Sequence, residues 1–249
     1  MVKAILTNRN LYPSARALRD VLQELCGERV VLATEPRPFH TVVVRWGTTA
    51  HPLREEPAVN SVELISTCSN KLRFSDALHN SGLLYPEFKR ERPSDGDFPI
   101  LVRRTMSGFG GAGIVPCRNI GEWEPNRGHY WTRYMNINSE FRIHVLGGKI
   151  ARVFKKVLND GVAIDEEFKI RNLHRGYRFS LIDHTSKPVM KALVEKLWGH
   201  LGFENGMCAF DVGWINGAGY FVIEGNSAPG LSENKATCLM YAEYIKSLL

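Results

Sequence analysis

Ala15, Leu18, Val21, Leu22 and Leu25 recur at the spacing of a single helical face, so an amphipathic helix is expected over residues 14–25. Ser14 is placed to cap its start and Gly27 to close its end. Short apolar runs at 2–6, 30–33 and 41–46 read as strands, which gives a β-α-β-β opening and a small open α/β layer within residues 1–60. A polar, proline-bearing stretch at 51–60 follows, then a helix over 69–80 and an extended segment at 83–88. After a turn at 94–97, strands are expected at 99–103, 114–116 and 129–135. The runs 140–146 and 149–156 are expected to pair as a hairpin across Gly147-Gly148. Residues 159–177 are polar with little periodicity, the pattern of a functional loop. Helices at 188–201, with Pro188 in the first turn, and at 234–249 complete the pattern.

The most informative stretch is 208–230, a second hairpin running into a Gly/Pro loop. Asn216-Gly217-Ala218-Gly219 suits a two-residue turn of type II′. If Asn216 pairs with Gly219, Asp211 lies directly opposite Glu224. Asn226, two residues on, shares the face of Glu224. Facing carboxylates repel each other. A divalent cation is the simplest compensation, with the Asn226 side-chain oxygen as third ligand. Three hard oxygen donors favour Mg²⁺ or Mn²⁺ over zinc. The competing reading is a surface hairpin whose acids face water. Ala209, Phe210, Val212, Phe221, Val222 and Ile223 argue against it, because they place both strands in a covered sheet where an uncompensated acid is costly.

Composition narrows the classes. The 249 residues, 44% hydrophobic, allow a substantial core, and no run approaches the roughly 18 apolar residues of a membrane span. Five scattered cysteines without a C-x-x-C, together with an N-terminal apolar run too short for a signal peptide, lead us to expect reduced thiols in a cytoplasmic protein. The net charge of +6 favours an anionic ligand. Its basic residues are dispersed, which fits phosphates held in a cleft better than a nucleic-acid stripe.

Three further groups carry chemistry. Ser107, Gly108, Gly110, Gly111 and Gly113 form a glycine-rich loop between two strands, a flap whose backbone N–H groups can cradle phosphates. Lys71, Arg103, Arg142 and Lys155 supply the positive charge that phosphoryl transfer needs. Within the polar loop, Lys169-Ile170-Arg171-Asn172-Leu173-His174-Arg175-Gly176 combines cations with an amide, suited to a carboxylate or phosphate.

Taken in order, these pieces resemble the ATP-grasp superfamily over residues 62–249. Ser69-Asn70-Lys71 looks like the opening of the helix before the first lobe, and Phe98-Pro99-Ile100-Leu101-Val102-Arg103 like "yPvvvK", with arginine replacing the usual lysine. Tyr130–Met135 occupies the hinge strand. Glu140-Phe141-Arg142 resembles "D/E-x-R", and Arg171–Gly176 the "RsNlhrGg" of the glutamate-adding branch that modifies a ribosomal protein. Asp211, Glu224 and Asn226 resemble the Mg²⁺-binding signature. The resemblance implies an α+β protein with two lobes clasping ATP, at 66–135 and 136–249, after a short α/β domain at 1–65. It also implies an ATP-dependent ligase that joins a small-molecule or peptide carboxylate to an amine through an acyl phosphate. In that reading Lys71, Arg103, the flap and the hinge residues Arg133, Tyr134 and Met135 bind ATP. Asp211, Glu224 and Asn226 hold Mg²⁺ or Mn²⁺, while Arg142, Asn172 and Lys155 serve the reacting groups. The alternatives are an ATP-binding scaffold of the same fold and a basic nucleic-acid-associated protein. No membrane partner is expected.

Overall fold

A computed structural model describes residues 2–50, 58–105, 113–163, 165–183, 188–231 and 234–249. Three sheets organise it. The first is parallel, with β1 (Val2–Thr7) between β2 (Val30–Ala33) and β3 (His40–Trp46). Helix α1 (Tyr12–Cys26) packs on it through Ala15, Leu18 and Leu22. Its start differs from expectation. Pro13 lies in the first turn and Leu11 is the N-cap, while the Ser14 hydroxyl accepts the Leu231 N–H at 3.0 Å. Gly27 closes the helix as expected, in the left-handed region with φ 66°.

The helix expected over 69–80 is α3 (Lys71–Leu78), and α2 (Val62–Ser69), absent from the expected pattern, precedes it. Asn70 breaks them apart, because its side-chain oxygen accepts the N–H groups of Leu72 and Arg73 and so starts a new helix. An antiparallel four-stranded sheet follows, in the order β4 (Phe88–Lys89), β7 (Tyr130–Arg133), β5 (Ile100–Arg103), β6 (Ile114–Cys117). Short α4 (Ile120–Trp123) buries Trp123 against it.

The third sheet is antiparallel and five-stranded. Its order is β10 (Tyr177–Ile182), β9 (Lys149–Leu158), β8 (Ser139–Leu146), β11 (Met207–Ile215), β12 (Gly219–Asn226). β10 is not among the expected strands; only its first residue, Tyr177, falls in the polar stretch 159–177. Alternation splits the two faces of this sheet. Phe141, Ile143, Val145, Phe210 and Val212 point into a core shared with α2, α3 and α5 (Pro188–Leu201). On the other face, α6 (Lys235–Ser247) and the parallel sheet cover the end bearing Leu146 and Met207. There His144 is buried, its Nδ1 2.9 Å from the Tyr241 hydroxyl. Beyond α6 the same face carries Glu140, Arg142 and Asp211.

Burial, with Arg142 adding to it, lowers the His144 pKa to about 3. An unfolded chain takes up that proton near pH 6.5, the folded one only near 3. Above that window His144 is neutral in both states; below pH 6.5 it withdraws about 1.4 kcal/mol of stability per pH unit. The urea midpoint should therefore be lower at pH 5 than at pH 7, and His144→Gln should shrink the difference. An equal difference in both proteins would refute this. All five cysteines are free. Among the described residues, no helix is long and apolar enough to cross a membrane.

Candidate active site

Asp211 pairs with Glu224 across β11 and β12, but not through the expected turn. Ile215 pairs with Gly219 around a three-residue loop, a frame that would leave Asp211 opposite Ile223. A bulge between Asp211 and Val212 adds one residue and brings Glu224 opposite Asp211.

The two carboxylates are compensated by side chains. Arg142 grips Asp211 with Nε at 2.7 Å and Nη2 at 2.9 Å, and Lys156 Nζ lies 3.3 Å from the same carboxylate. Lys156 also pairs with Glu140 and donates to the Arg171 carbonyl at 3.2 Å. Glu224 pairs with Lys71. The ring of Phe179, on β10, lies under both cations, 4.7 Å from the Arg142 guanidinium and 5.8 Å from Lys156 Nζ. Repulsion between the acids is thus relieved without a metal, and their pairing alone does not require one.

Electrostatics in this buried cluster are strong. Burial raises the pKa of the Asp211 carboxyl, but Arg142 and Lys156 outweigh it and hold the group well below the usual carboxylate range. Burial pushes Glu140 up, with Lys156 only partly opposing. For Lys156 and Arg142 burial pulls downward, yet the neighbouring carboxylates, Asp211 first, leave both raised.

The four-stranded sheet closes the site from the other side. Arg103 and Tyr130 are cross-strand partners there, and both interact electrostatically with Glu224. Burial lowers the Arg103 pKa and raises that of Tyr130. Among the described residues Lys71, Arg103, Arg142, Lys156 and Arg171 act on the carboxylates Glu140, Asp211 and Glu224, so five cations oppose three anions and positive charge is in excess.

Three buried polar atoms in this cluster, Arg103 Nε, Tyr130 OH and Asn226 Nδ2, have no hydrogen-bond partner among the described residues. The fourth such atom, Trp46 Nε1, belongs to the parallel-sheet layer. Orphaned donors beside excess positive charge mark a place for a polar anion. No group of three or more His, Cys, Asp or Glu is placed to hold a metal among the described residues. The expected set has two acids and one amide. It fits Mg²⁺ arriving with phosphate oxygens, since that ion typically takes one or two carboxylates and completes its shell from substrate and water.

Lys155 is not in this cluster. A two-residue turn would put it on the face of Arg142. A bulge between His144 and Val145 adds one residue on β9, so Arg142 faces Phe154, and alternation gives the site face to Lys156 and the opposite face to Lys155. Asn172 lies next to Arg171, whose carbonyl Lys156 reaches, and its own side-chain oxygen accepts the Arg175 N–H at 2.9 Å. The surrounding loop folds round a cavity of about 450 Å³ lined by Phe168, Lys169, His174, Arg175 and Tyr177 among others. β7 stops at Arg133, short of the strand expected to 135. The Tyr134 N–H bonds the Pro99 carbonyl, the Tyr134 hydroxyl accepts the Lys169 N–H, and the Met135 carbonyl accepts the Ile137 N–H, so this segment ties the two antiparallel sheets. Ser107, Gly108, Gly110 and Gly111 lie outside the described residues. Their hairpin is present, with Arg103 opposite Ile114 and Gly113 at φ 73°. Sequence reasoning missed Lys156 and Phe179 as site residues. A period-2 pattern at Tyr177, Phe179 and Leu181 was the available signal for the latter.

No family model matches the chain, and no curated protein matches it. Solved structures do. The ATP-grasp ligase PsnB complexed with minimal precursor superposes with a TM-score of 0.69 at 11% identity, covering 100% of both chains. D-alanyl-alanine synthetase A from Vibrio cholerae gives 0.70 at 11% identity, over 99% of this chain and 96% of that one. A RimK domain protein ATP-grasp from Sphaerobacter thermophilus gives 0.65 at 14% identity, over 98% and 100%. The similarity spans all three sheets: the chain has the ATP-grasp fold.

Proposed function

We propose that the chain is an ATP- and Mg²⁺-dependent carboxylate–amine ligase, with lobes at 66–135 and 136–249 behind a short N-terminal domain at 1–65, acting in the cytoplasm. The observation that carries this reading is the set of orphaned donors at Arg103, Tyr130 and Asn226 beside a cluster in which cations outnumber carboxylates. A polyphosphate answers both needs. The ligase names of the similar structures support that reaction class.

In this reading ATP is a substrate. Lys71 and Arg103 neutralise its phosphates, with the flap at Ser107, Gly108, Gly110, Gly111 and Gly113 above them and the segment Arg133, Tyr134 and Met135 beside the base. Glu224, Asn226 and the remaining lone pair of Asp211 would hold Mg²⁺, which supplies charge neutralisation between phosphates. A substrate carboxylate oxygen attacks the γ-phosphorus and ADP leaves. The amine then displaces phosphate from the acyl carbon, losing a proton as the amide forms. Arg142 and Lys156 steady the negative charge on the reacting carboxylate, with Asn172, next to Arg171, assisting from the substrate loop. No enzyme nucleophile is needed; rate comes from positioning and electrostatics. The carboxylate and amine are small molecules or peptides. PsnB, similar in fold, has also been solved with minimal precursor, Mg and ADP.

The test is a phosphate-release screen with ATP, Mg²⁺ and pooled amino acids and peptides. Release that requires a carboxylate and an amine together, with an amide product in mass spectra, is the expected result. ATP binding without turnover across the pools would replace the ligase with a nucleotide-binding scaffold.

A further inference from the structure

Asn60 lies between the parallel sheet and the metal-binding hairpin, and nothing in the proposed chemistry uses it. It is 1% exposed and adopts φ 68°, the left-handed region that asparagine tolerates better than other side-chain-bearing residues. Its carboxamide makes three hydrogen bonds. Nδ2 donates to the Ser227 carbonyl at 3.1 Å and to the Arg45 carbonyl at 3.3 Å, and Oδ1 accepts the Met207 N–H at 2.7 Å. The Arg45 guanidinium returns a bond to the Asn60 carbonyl at 3.1 Å.

The partners are informative. Met207 is the first residue of β11, and Ser227 directly follows Asn226, the last residue of β12. The ladder ends with Ala209 opposite Asn226. Past that pair the side-chain amide takes the place of a backbone peptide group, with one donor to the outgoing strand and one acceptor for the incoming strand. Asn60 thus clamps the open end of the hairpin, while Arg45 fixes Asn60 to β3. Two neighbouring contacts seat the same loop on the same layer. A Cβ on Gly47 would come within 2.9 Å of the Ala228 Cβ, and the Leu231 N–H bonds Ser14.

We infer that Asn60 is a positioning residue for the metal-binding set: it fixes the backbone of Asn226 and thereby sets the affinity for metal–nucleotide. This rests on the ligase reading of the site. Substitution by glycine isolates the clamp, because glycine accepts the left-handed backbone at no steric cost and removes only the carboxamide. Asn60→Asp is the second variant; it keeps the acceptor for Met207 but turns the donor into an acceptor facing two carbonyls.

Mn²⁺–ADP binding by calorimetry, metal-free ADP binding, and hydrogen exchange at the Met207 amide should be measured on the full chain. In Asn60→Gly the Met207 amide is expected to exchange faster and Mn²⁺–ADP affinity to fall at least about ten-fold. Metal-free ADP should bind as in the unsubstituted protein. Asn60→Asp should lose metal–nucleotide affinity similarly, and it carries the test if the glycine variant does not fold. Faster exchange at Met207 with Mn²⁺–ADP affinity within two-fold would overturn the inference, as would equal losses with and without metal. If the unsubstituted protein fails to bind Mn²⁺–ADP, it is the ligase reading that falls.

Discussion

Replacing Glu224 by alanine should abolish ADP formation while leaving the fold intact. The carboxylate is a quarter exposed and its partner Lys71 is also accessible, so the pair is worth at most about 1 kcal/mol of stability. Losing it leaves Lys71 in reach of water and Arg103 with Glu140 as the other carboxylate acting on it. In the proposed chemistry, however, Glu224 is the carboxylate freest to take a metal, because Asp211 is already gripped by Arg142 and Lys156. Removal of one preorganised electrostatic contact commonly costs about 10²–10³-fold in turnover, and loss of the metal adds to that. The check pairs a melting curve with substrate-dependent phosphate release. Turnover within ten-fold of the unsubstituted protein would remove Glu224 from the metal site.

Arg142→Met should do the opposite to the fold, destabilising it by about 3–5 kcal/mol, because Asp211 would remain buried with Lys156 as its one strong partner. For a chain of this size that corresponds to a fall of about 10 °C in melting temperature. The pH dependence should change too. In the unsubstituted protein the depressed Asp211 pKa contributes stability that is complete above the unfolded value near 4 and is lost as pH falls below it. Without Arg142 that acid-side loss should shrink. Adding Asp211→Leu should restore much of the stability, since a buried ion pair can be exchanged for apolar residues at little cost, but it should not restore activity. Chemical denaturation of both variants at about pH 3 and at pH 7 provides the test, since the loss lies below the unfolded value. A single variant as stable as the unsubstituted protein would mean that the Arg142–Asp211 contact contributes nothing to the fold.

Much of this architecture was legible because local signals agreed. The helix at 188–201 and the strand at 30–33 have the expected bounds, and Asp211 does meet Glu224. What escaped was decided by single residues whose effects reach beyond their neighbours. Asn70 lies inside the helix expected over 69–80, yet its side chain caps Leu72 and Arg73 and delays the start to Lys71. Lys71 stands in that first helical turn, where the macrodipole disfavours a cation, and Glu224 compensates from a strand 153 residues away. No local pattern announces such a partner. The clamp at Asn60 was invisible for the same reason, since its bonds to Ser227 and Met207 span 167 and 147 residues.

The bulges in the two hairpins work against simple counting. In one, an irregular ladder produced the expected pairing from an incorrect turn; in the other, a correctly expected turn led to the wrong lysine. Spacing from a turn fixes which face a side chain takes only while the ladder stays regular.

Lys155 and Lys156 stand side by side on a strand whose phase depends on one extra residue. Should that residue be absorbed elsewhere, the ammonium beside Asp211 would be supplied by the other lysine, and the charge of the centre would survive. Arg142 has no such understudy, flanked as it is by Phe141 and Ile143. The same slip on its strand would turn a guanidinium into the helical core and an aromatic or aliphatic group toward the charged centre. A change of phase therefore leaves the centre's charge intact on one strand and destroys it on its neighbour.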